Sequence, residues 1–244
     1  MYDIVDLLTV ISLCCINYSM KQQNLKLPNN SIHTWEIDIN SKNLELAKQH
    51  IKVLSNLELD KVKRFKFIKD YSIYLISHVI MRLLLSQYTN IKAKEILYQY
   101  KENEKPWISK DICFNLSHAH KKAVIGFYKK EIGVDIEYKK ELGDYNSIGD
   151  LVFSKEEKIY MNRGNKKDKF YELWTKKEAI IKGIGVGLNE EVKDLSVGTK
   201  KQFHRKHNQV WQIEKVKEDF NYVAHIAYKS NNIANKISSY IWEF

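Results

Sequence analysis

The sequence predicts an α+β fold built from two similar halves, each a mostly antiparallel sheet packed with helices, and two observations lead to this prediction. The order strand, helices, antiparallel strands occurs twice along the 244 residues. A short strand motif also recurs at the same place in each cycle, as WEIDI at residues 35–39 and GVDIE at residues 133–137. An internal duplication explains both observations. Chance likeness of two α+β stretches is the alternative, because the repeated motif is short.

The predicted boundaries are an N-terminal extension of unknown role at residues 1–30, an N-terminal half at 31–131 and a C-terminal half at 132–244. No segment rich in Pro, Gly or Ser separates the halves, so we expect them to pack tightly. The apolar run at residues 7–16 is too short to span a bilayer as a helix. It also lacks the basic flank of a signal peptide, so no membrane association is expected.

Hydrophobic periodicity defines the elements of the first half. HTWEIDI at residues 33–39 alternates like a strand, and residues 43–56 have helical spacing. Residues 60–87 predict one long amphipathic helix or a pair of helices. Short β-rich pieces follow, namely ILYQY, PWIS, CFNLSH and KAVIGFY.

The second half opens with the predicted strand IGVDIEY. Ser154 and Glu157 then have the spacing of a capping box that opens a helix. Residues 168–183 read as a further helix whose end is marked by Gly183. Four strands are predicted to close the chain, namely DLSVGT, VWQIEKVK, NYVAHIAYK and SYIWEF.

Charge and cysteine content restrict the function. The 40 Lys and Arg exceed the 30 Asp and Glu, which gives a formal net charge of +10 at pH 7. A positive surface predicts an acidic partner, whether nucleic acid, a polyphosphate ligand or an acidic protein. The three cysteines, Cys14, Cys15 and Cys113, have no C-x-x-C spacing, which argues against a disulfide scaffold and a structural zinc site. A reducing cytoplasm fits this content best.

Two carboxylates alternate in the strand IGVDIEY. Alternate side chains share a face of a strand, so Asp135 and Glu137 are predicted to point outward together while Val134 and Ile136 enter the core. Their Cα atoms would lie about 7 Å apart, from which both carboxylates can reach one hard cation. Taken alone, such a pair is more often a solvated strand face.

The helix at 168–183 places Trp174, Glu178 and Lys182 on one stripe, with Lys177 beside them. The common interpretation is a core tryptophan plus a surface ion pair. The functional interpretation is a third carboxylate for a cation and two lysines for phosphate. Glycines after the helix, which let backbone approach a ligand, favour the second interpretation.

The segment FNLSHAH, residues 114–120, offers Asn115, Ser117 and His118 at alternate and adjacent positions of a strand end. Cys113, His118 and His120 lack a fourth ligand and make a poor metal site. A neutral His118 or the Ser117 hydroxyl could hydrogen-bond a phosphate, and a structural histidine is equally consistent with the pattern.

KPWI, FNLSH, GVDIE, FSKEE and WTKKEAIIKGIGVGL occur in this order, and with them the sequence resembles a known family. It is similar to the 4′-phosphopantetheinyl transferases of the type that activates nonribosomal peptide and polyketide synthetases. The resemblance runs from about His33 to the C-terminus. Its two strongest motifs, G-V-D-I-E and W-x-x-K-E-A-x-x-K, lie about forty residues apart, so their joint match is more specific than either motif alone.

The resemblance implies a pseudo-dimer with coenzyme A in the cleft between the halves and Mg²⁺ on Asp135, Glu137 and Glu178. Lys182 would contact the phosphates, with Lys177 close by, and either Glu178 or a metal-bound water would remove the proton of the attacking serine. The other implied coenzyme A contacts are Ser117 and His118 after FN, Lys105 and Pro106 at the nucleotide, and Lys61 with Arg64 at the 3′-phosphate.

The implied reaction transfers the 4′-phosphopantetheine arm of coenzyme A to a serine of an acidic apo acyl or peptidyl carrier protein and releases 3′,5′-ADP. We expect a monomer that binds no nucleic acid, and we expect Phe153 and the segment from Ile148 to Met161 to meet the carrier protein. A basic nucleic-acid-binding module and a metal-dependent phosphoesterase are the competing functions. The lysines are scattered along the chain, which disfavours the first of these.

Overall fold

A computed structural model describes residues 17–18, 25–100, 105–185, 195, 197, 202–205, 209–230 and 235–242. The first of its strands is β1, Asn17–Tyr18. Among the helices of these described residues, none combines the length and the apolarity that crossing a bilayer requires.

The first half contains strands on either side of three helices. Strand β2 covers Ser31–Asp38, and helices α1, α2 and α3 cover Ser41–Gln49, Asn56–Arg64 and Ile68–Thr89. Strands β3, β4, β5 and β6 cover Gln99–Tyr100, Pro106–Trp107, Cys113–Ala119 and Lys122–Tyr128. Residues 60–87 thus form a helix pair. The helix predicted at 43–56 ends at Gln49, where His50 caps α1. A capping box of Ser55 with Glu58 then begins α2.

The second half has the same order of elements. Strand β7 covers Ile132–Tyr138, and helices α4, α5 and α6 cover Tyr145–Val152, Lys155–Met161 and Lys166–Ile184. Strands β8, β9, β10 and β11 cover Gln202–Arg205, Gln209–Glu218, Tyr222–Lys229 and Lys236–Trp242. The strand predicted at residues 194–199 lies mostly outside the described residues.

The sequence predicted where helix α5 begins and where helix α6 ends. The capping box of Ser154 and Glu157 opens α5 as predicted. Helix α6 continues past Gly183, and its last residue is Ile184, after which Gly185 adopts a left-handed conformation with φ 76°. Gly183 therefore lies inside the helix, and Gly185 provides the terminating conformation that glycine favours.

The two main sheets repeat one strand order, which confirms the α+β fold of two similar halves. In the first sheet β2 pairs antiparallel with β6, and β6 with β5. In the second sheet β7 pairs antiparallel with β10, and β10 with β9. The motifs WEIDI and GVDIE therefore occupy equivalent strands of the two halves.

The last described strand differs from the predicted division at residues 132–244. Strand β11 does not join the sheet of the second half but pairs in parallel with β2, from Lys236 opposite Ser31 to Ile241 opposite Glu36. Strand β1 pairs in parallel with the far edge of β11. The second half therefore contributes a strand to the sheet of the first.

Among the described residues, buried apolar side chains form three clusters. One packs α3 against the first sheet, and a second packs α6 against the second sheet. The third lies between the two halves, where Val134 and Ile136 of β7 meet Ile32 and Val124 of the first sheet. As predicted, Val134 and Ile136 enter the core. Residues 133, 135 and 137 face α6 because they alternate with these side chains.

Gly133 allows α6 to approach β7 more closely than any other residue would. A Cβ atom at this position would lie 1.9 Å from the Ala179 carbonyl oxygen and 2.2 Å from the Gly183 nitrogen. The Gly183 position is also tight, since its Cβ atom would lie 2.5 Å from a ring carbon of Trp211. The close contact sets the distance between the carboxylates of β7 and the side chains of α6.

Candidate active site

Asp135 lies at the centre of the candidate site, on the face of β7 that α6 covers. It is 3% exposed, so the alternative of a solvated strand face does not apply to it. The Lys182 ammonium of α6 donates to Asp135 Oδ1 over 2.5 Å, and the Ser117 hydroxyl of β5 donates to the same oxygen over 3.0 Å. Lys182 also donates to Ser117 Oγ over 3.0 Å. One carboxylate thus joins three elements from both halves.

Glu137 and Glu178 lie near Asp135 and share its electrostatic environment. The Trp174 indole of α6 donates to Glu137 Oε1 over 3.2 Å. Burial and then the Asp135 charge raise the pKa of Glu137 to about 7. The same two causes raise the pKa of Glu178, and burial raises that of Asp135. Three carboxylates that destabilise one another's charged forms are typical of functional sites.

The donor set of the site fits a hard cation such as Mg²⁺. Carboxylate oxygens are the ligands that Mg²⁺ prefers. The second oxygen of Asp135, Oδ2, is buried and has no hydrogen-bond partner among the described residues, and an unmade bond at a buried oxygen is costly. Within the described ranges no three His, Cys, Asp or Glu side chains already converge on one point. Lys182 instead supplies the positive charge at Asp135.

The raised pKa of Glu137 makes stability depend on pH. Because this pKa is about 7 in the folded chain against an ordinary 4.5, the folded state holds more protons between those values. Stability therefore falls as pH rises through that window. We expect Glu137→Gln, which removes the charge, to gain on the order of 2–3 kcal/mol relative to wild type between pH 5 and pH 8.

Urea unfolding of both chains in EDTA across this pH range measures the difference. The comparison with a variant is needed because His33 and His225, whose pKa values burial lowers to about 4 and about 3, act in the opposite direction below pH 6.5. Addition of Mg²⁺ should reduce the difference at pH 8, since a bound cation favours the charged carboxylate. A difference in the free energy of unfolding between the two proteins that does not change with pH would contradict the raised pKa of Glu137.

Lys177 does not join the carboxylate site, so its predicted position near the phosphates is corrected. Its ammonium is 2.9 Å from Glu157 Oε2 of α5 and donates to the Leu195 carbonyl over 2.6 Å. Lys177 is 2% exposed and Glu157 is fully buried. One step along a helix rotates the side chain by about 100°, which is why Lys177 and Glu178 face different surroundings.

Ser117 and Lys105 reach the site through bonds to protein groups. Ser117 is buried and contacts Asp135 as described. The Lys105 ammonium donates to the Ile132 carbonyl of β7 over 2.9 Å and to the Gly183 carbonyl of α6 over 2.7 Å. Pro106 follows as the first residue of β4. Lys105 therefore links the strand and the helix that carry the predicted ligands.

The predicted basic contacts Lys61 and Arg64 are exposed on α2, and His118 is exposed on β5. Partial desolvation and the nearby Lys182 ammonium lower the pKa of the His118 imidazole, and His78 adds to this effect. Burial lowers the pKa of His78, with a smaller contribution from Lys61. His118 therefore senses the charge of Lys182, and His78 senses that of Lys61, which favours the neutral form of both imidazoles.

Two residues with structural contacts, His78 and Arg82, were missed by the sequence analysis. His78 stacks on Tyr74 with 3.8 Å between ring centroids and contacts Glu58. Arg82 makes a buried ion pair of 2.6 Å with Glu58. Asn115 was among the polar side chains noted in FNLSHAH but was given no role, and its amide oxygen accepts from the Val134 amide over 2.8 Å. No local sequence pattern marks His78 or Arg82, whereas the spacing of Asn115 from Ser117 matches alternate positions of a strand.

The residue predicted to meet a carrier protein is not at the surface. Phe153 is 3% exposed and packs against Phe170 with 5.5 Å between ring centroids. The predicted segment from Ile148 to Met161 does expose two large apolar side chains, Leu151 at 70% and Ile159 at 56%.

Comparison with known proteins gives consistent matches over both halves. Residues 131–237 match the model of the 4′-phosphopantetheinyl transferase superfamily. Residues 41–128 match the model described as 4′-phosphopantetheinyl transferase, N-terminal. Together the matched residues include β5, β7 and α6, the three elements that carry the candidate site.

Individual relatives carry the same name. The chain is 27% identical over 177 residues to the 4′-phosphopantetheinyl transferase HetI of Nostoc sp., covering 69% of this chain and 74% of the relative. It is 32% identical over 140 residues to gsp of Aneurinibacillus migulanus, covering 55% and 58%. It is 29% identical over 158 residues to Sfp of Bacillus subtilis, covering 63% and 70%.

Proposed function

Because the chain belongs to the 4′-phosphopantetheinyl transferase superfamily, we propose that it moves the 4′-phosphopantetheine arm of coenzyme A to a serine of an apo acyl or peptidyl carrier protein. The serine oxygen forms a bond to the phosphorus that carries pantetheine. The bond from this phosphorus to the bridging oxygen breaks, and 3′,5′-ADP leaves. The serine proton passes to a base of the enzyme.

The observation that carries this proposal is the buried carboxylate Asp135 with one unpartnered oxygen. Asp135, Glu137 and Glu178 would hold Mg²⁺ between β7 and α6. When bound, Mg²⁺ supplies positive charge that neutralises the pyrophosphate and the developing charge of the leaving group. A site with these raised pKa values favours either protons or a cation, because three neighbouring carboxylates are unstable when all are charged.

Lys182 and Glu178 have separate roles in the transfer. The Lys182 ammonium, whose side chain is 32% exposed, already lies at the edge of the site and can donate to a phosphate oxygen. Glu178, a carboxylate of this site on α6, is the candidate base for the proton of the attacking serine. Lys61, Arg64, Ser117 and His118 remain the proposed contacts to the rest of coenzyme A.

The charge of the chain supports the proposed partners. Coenzyme A is anionic, and we propose that the carrier protein is acidic. A protein with a formal charge of +10 attracts both, since complementary charge raises the rate of encounter.

Intact mass spectrometry tests the reaction and its need for a metal. An apo carrier protein incubated with the enzyme, coenzyme A and Mg²⁺ should gain the mass of one phosphopantetheine arm. EDTA should abolish the gain, and excess Mg²⁺ should restore it. A carrier whose acceptor serine is replaced by alanine is the matched control and should gain nothing.

A full gain of mass in EDTA would contradict the metal assignment. Failure with several acyl and peptidyl carriers, while the enzyme is folded, would contradict the transfer itself. Release of free phosphate from coenzyme A without a carrier would favour a phosphoesterase instead.

A further inference from the structure

The outer edge of β7 is completed by side chains of the other half. In a strand, the amide and carbonyl groups of alternate residues point to the same edge. All of β7 pairs with β10, and the backbone bonds from Lys229 to Glu131 and from Lys139 to Asn221 show that the odd-numbered residues direct their backbone groups to β10. Residues 132, 134 and 136 present their backbone groups to the opposite edge, where no strand pairs with β7 in the described sheets.

Three polar side chains of the first half meet these backbone groups. The Asn115 amide oxygen accepts from the Val134 amide over 2.8 Å, and the Ser117 hydroxyl accepts from the Ile136 amide over 3.4 Å. The Lys105 ammonium donates to the Ile132 carbonyl over 2.9 Å. We call Lys105, Asn115 and Ser117 the side-chain edge.

The spacing of the side-chain edge follows from strand geometry. Asn115 and Ser117 are two residues apart on β5, and their partners Val134 and Ile136 are two residues apart on β7. Both pairs therefore repeat at the same interval of about 7 Å. The corresponding edge of β2 in the first half is covered by the backbone of β11. Equivalent strand edges are therefore covered differently in the two halves, by the backbone of β11 at β2 and by side chains at β7.

We propose that Asn115 is a positioning residue of the transfer reaction, which acts by holding the edge of β7 so that Asp135 and Glu137 keep their place opposite α6. Val134 lies next to Asp135 in sequence, so a shift of its amide moves the Asp135 backbone directly. Asn115 also lies two positions from Ser117, which itself donates to Asp135. This proposal rests on the proposed function, because it concerns how the metal ligands are arranged.

Residues that orient metal ligands affect metal affinity strongly. Loss of such an outer contact typically weakens binding or activity by about 10- to 100-fold. The role of Asn115 is distinct from contact with coenzyme A, because its amide oxygen is engaged with the backbone of β7. Its loss should therefore change metal binding more than the Michaelis constant for coenzyme A.

Three variants of the full chain separate positioning from general stability. Asn115→Leu keeps the approximate size of the side chain and removes the acceptor. Asn115→Asp keeps an acceptor oxygen. Ile125→Val is the matched control, because Ile125 is fully buried in the cluster around α3 and lies opposite Leu116, between Asn115 and Ser117. Its change removes one buried methyl group from the core of the first half and leaves all three side chains of the side-chain edge in place.

Two measurements do not require turnover. Mn²⁺ binding is followed by electron paramagnetic resonance, and amide hydrogen exchange is followed in the peptide that contains β7. Asn115→Leu should weaken Mn²⁺ binding by about tenfold or more and speed exchange in β7. Asn115→Asp should stay close to wild type in both. Ile125→Val should lower the melting temperature and leave Mn²⁺ binding unchanged.

Wild-type Mn²⁺ affinity in Asn115→Leu, with a melting temperature lowered as in Ile125→Val, would overturn the proposal. If the wild-type chain itself binds no Mn²⁺, the metal assignment of the proposed function fails, and hydrogen exchange decides the positioning separately. Unchanged exchange in Asn115→Leu would then overturn it. Should Asn115→Leu not fold, Asn115→Ser, whose shorter side chain withdraws the oxygen from Val134, takes its place with the same expected results.

Discussion

Asp135→Asn is expected to lower the rate of phosphopantetheine transfer by at least about 100-fold, since loss of even an outer contact of a metal site costs up to about that much. The substitution removes the charge of the most buried carboxylate in the site, and an amide is a poor ligand for a cation that carboxylates hold. The rate is measured by mass spectrometry of the carrier protein at saturating coenzyme A and Mg²⁺.

The fold is expected to survive this change. Burial raises the pKa of Asp135, which means that the folded protein disfavours the charged form. An asparagine oxygen can still accept the bonds from Ser117 and Lys182. Asp111→Asn, at a carboxylate with an 80% exposed side chain, is the matched control and should keep full activity. A rate within about threefold of wild type would remove Asp135 from the proposed metal site.

Gly133→Ala is expected to destabilise the protein by about 3 kcal/mol or more, the upper end of the usual cost of overpacking. The added Cβ atom would lie 1.9 Å from one backbone atom of α6 and 2.2 Å from another. Backbone atoms cannot rotate away as side chains do, so α6 must move off β7. For a chain of this size the melting temperature should fall by about 6 °C or more, with loss of transfer activity.

Gly143→Ala provides a matched control for this prediction. Its Cβ atom would meet nothing within 4 Å, so both melting temperature and activity should stay near those of wild type. Thermal unfolding followed by circular dichroism measures both variants. A Gly133→Ala protein as stable and as active as Gly143→Ala would show that α6 does not depend on the close contact with β7.

Local sequence patterns predicted the elements of the site well. The period of two in β7 placed Val134 and Ile136 in the core and put Asp135 with Glu137 on the other face. The capping box of Ser154 and Glu157 marked the start of α5. These features depend on residues only a few positions apart, so their spacing along the chain is enough to predict them.

Features that depend on distant partners were not predictable in this way. Lys177 was expected at the phosphates, but its partner Glu157 lies on another helix, twenty residues earlier in the chain. Gly183 was expected to end α6, but it is small because it packs against Gly133 and Trp211. Lys105 links two backbone carbonyls that lie 27 and 78 residues away from it. No local pattern distinguishes such residues from ligand contacts or helix caps.

The placement of β11 beside β2 has a consequence for synthesis of the chain on the ribosome. The Thr34 hydroxyl of β2 donates a hydrogen bond to the Ser239 hydroxyl of β11, although the two residues are 205 positions apart in the chain. The edge of β2 therefore stays uncovered while most of the chain is still being made. An uncovered strand edge can pair with other nascent chains, and contacts this distant in sequence form slowly. The same strand that joins the two halves thus leaves the growing chain exposed to misassembly until synthesis reaches β11.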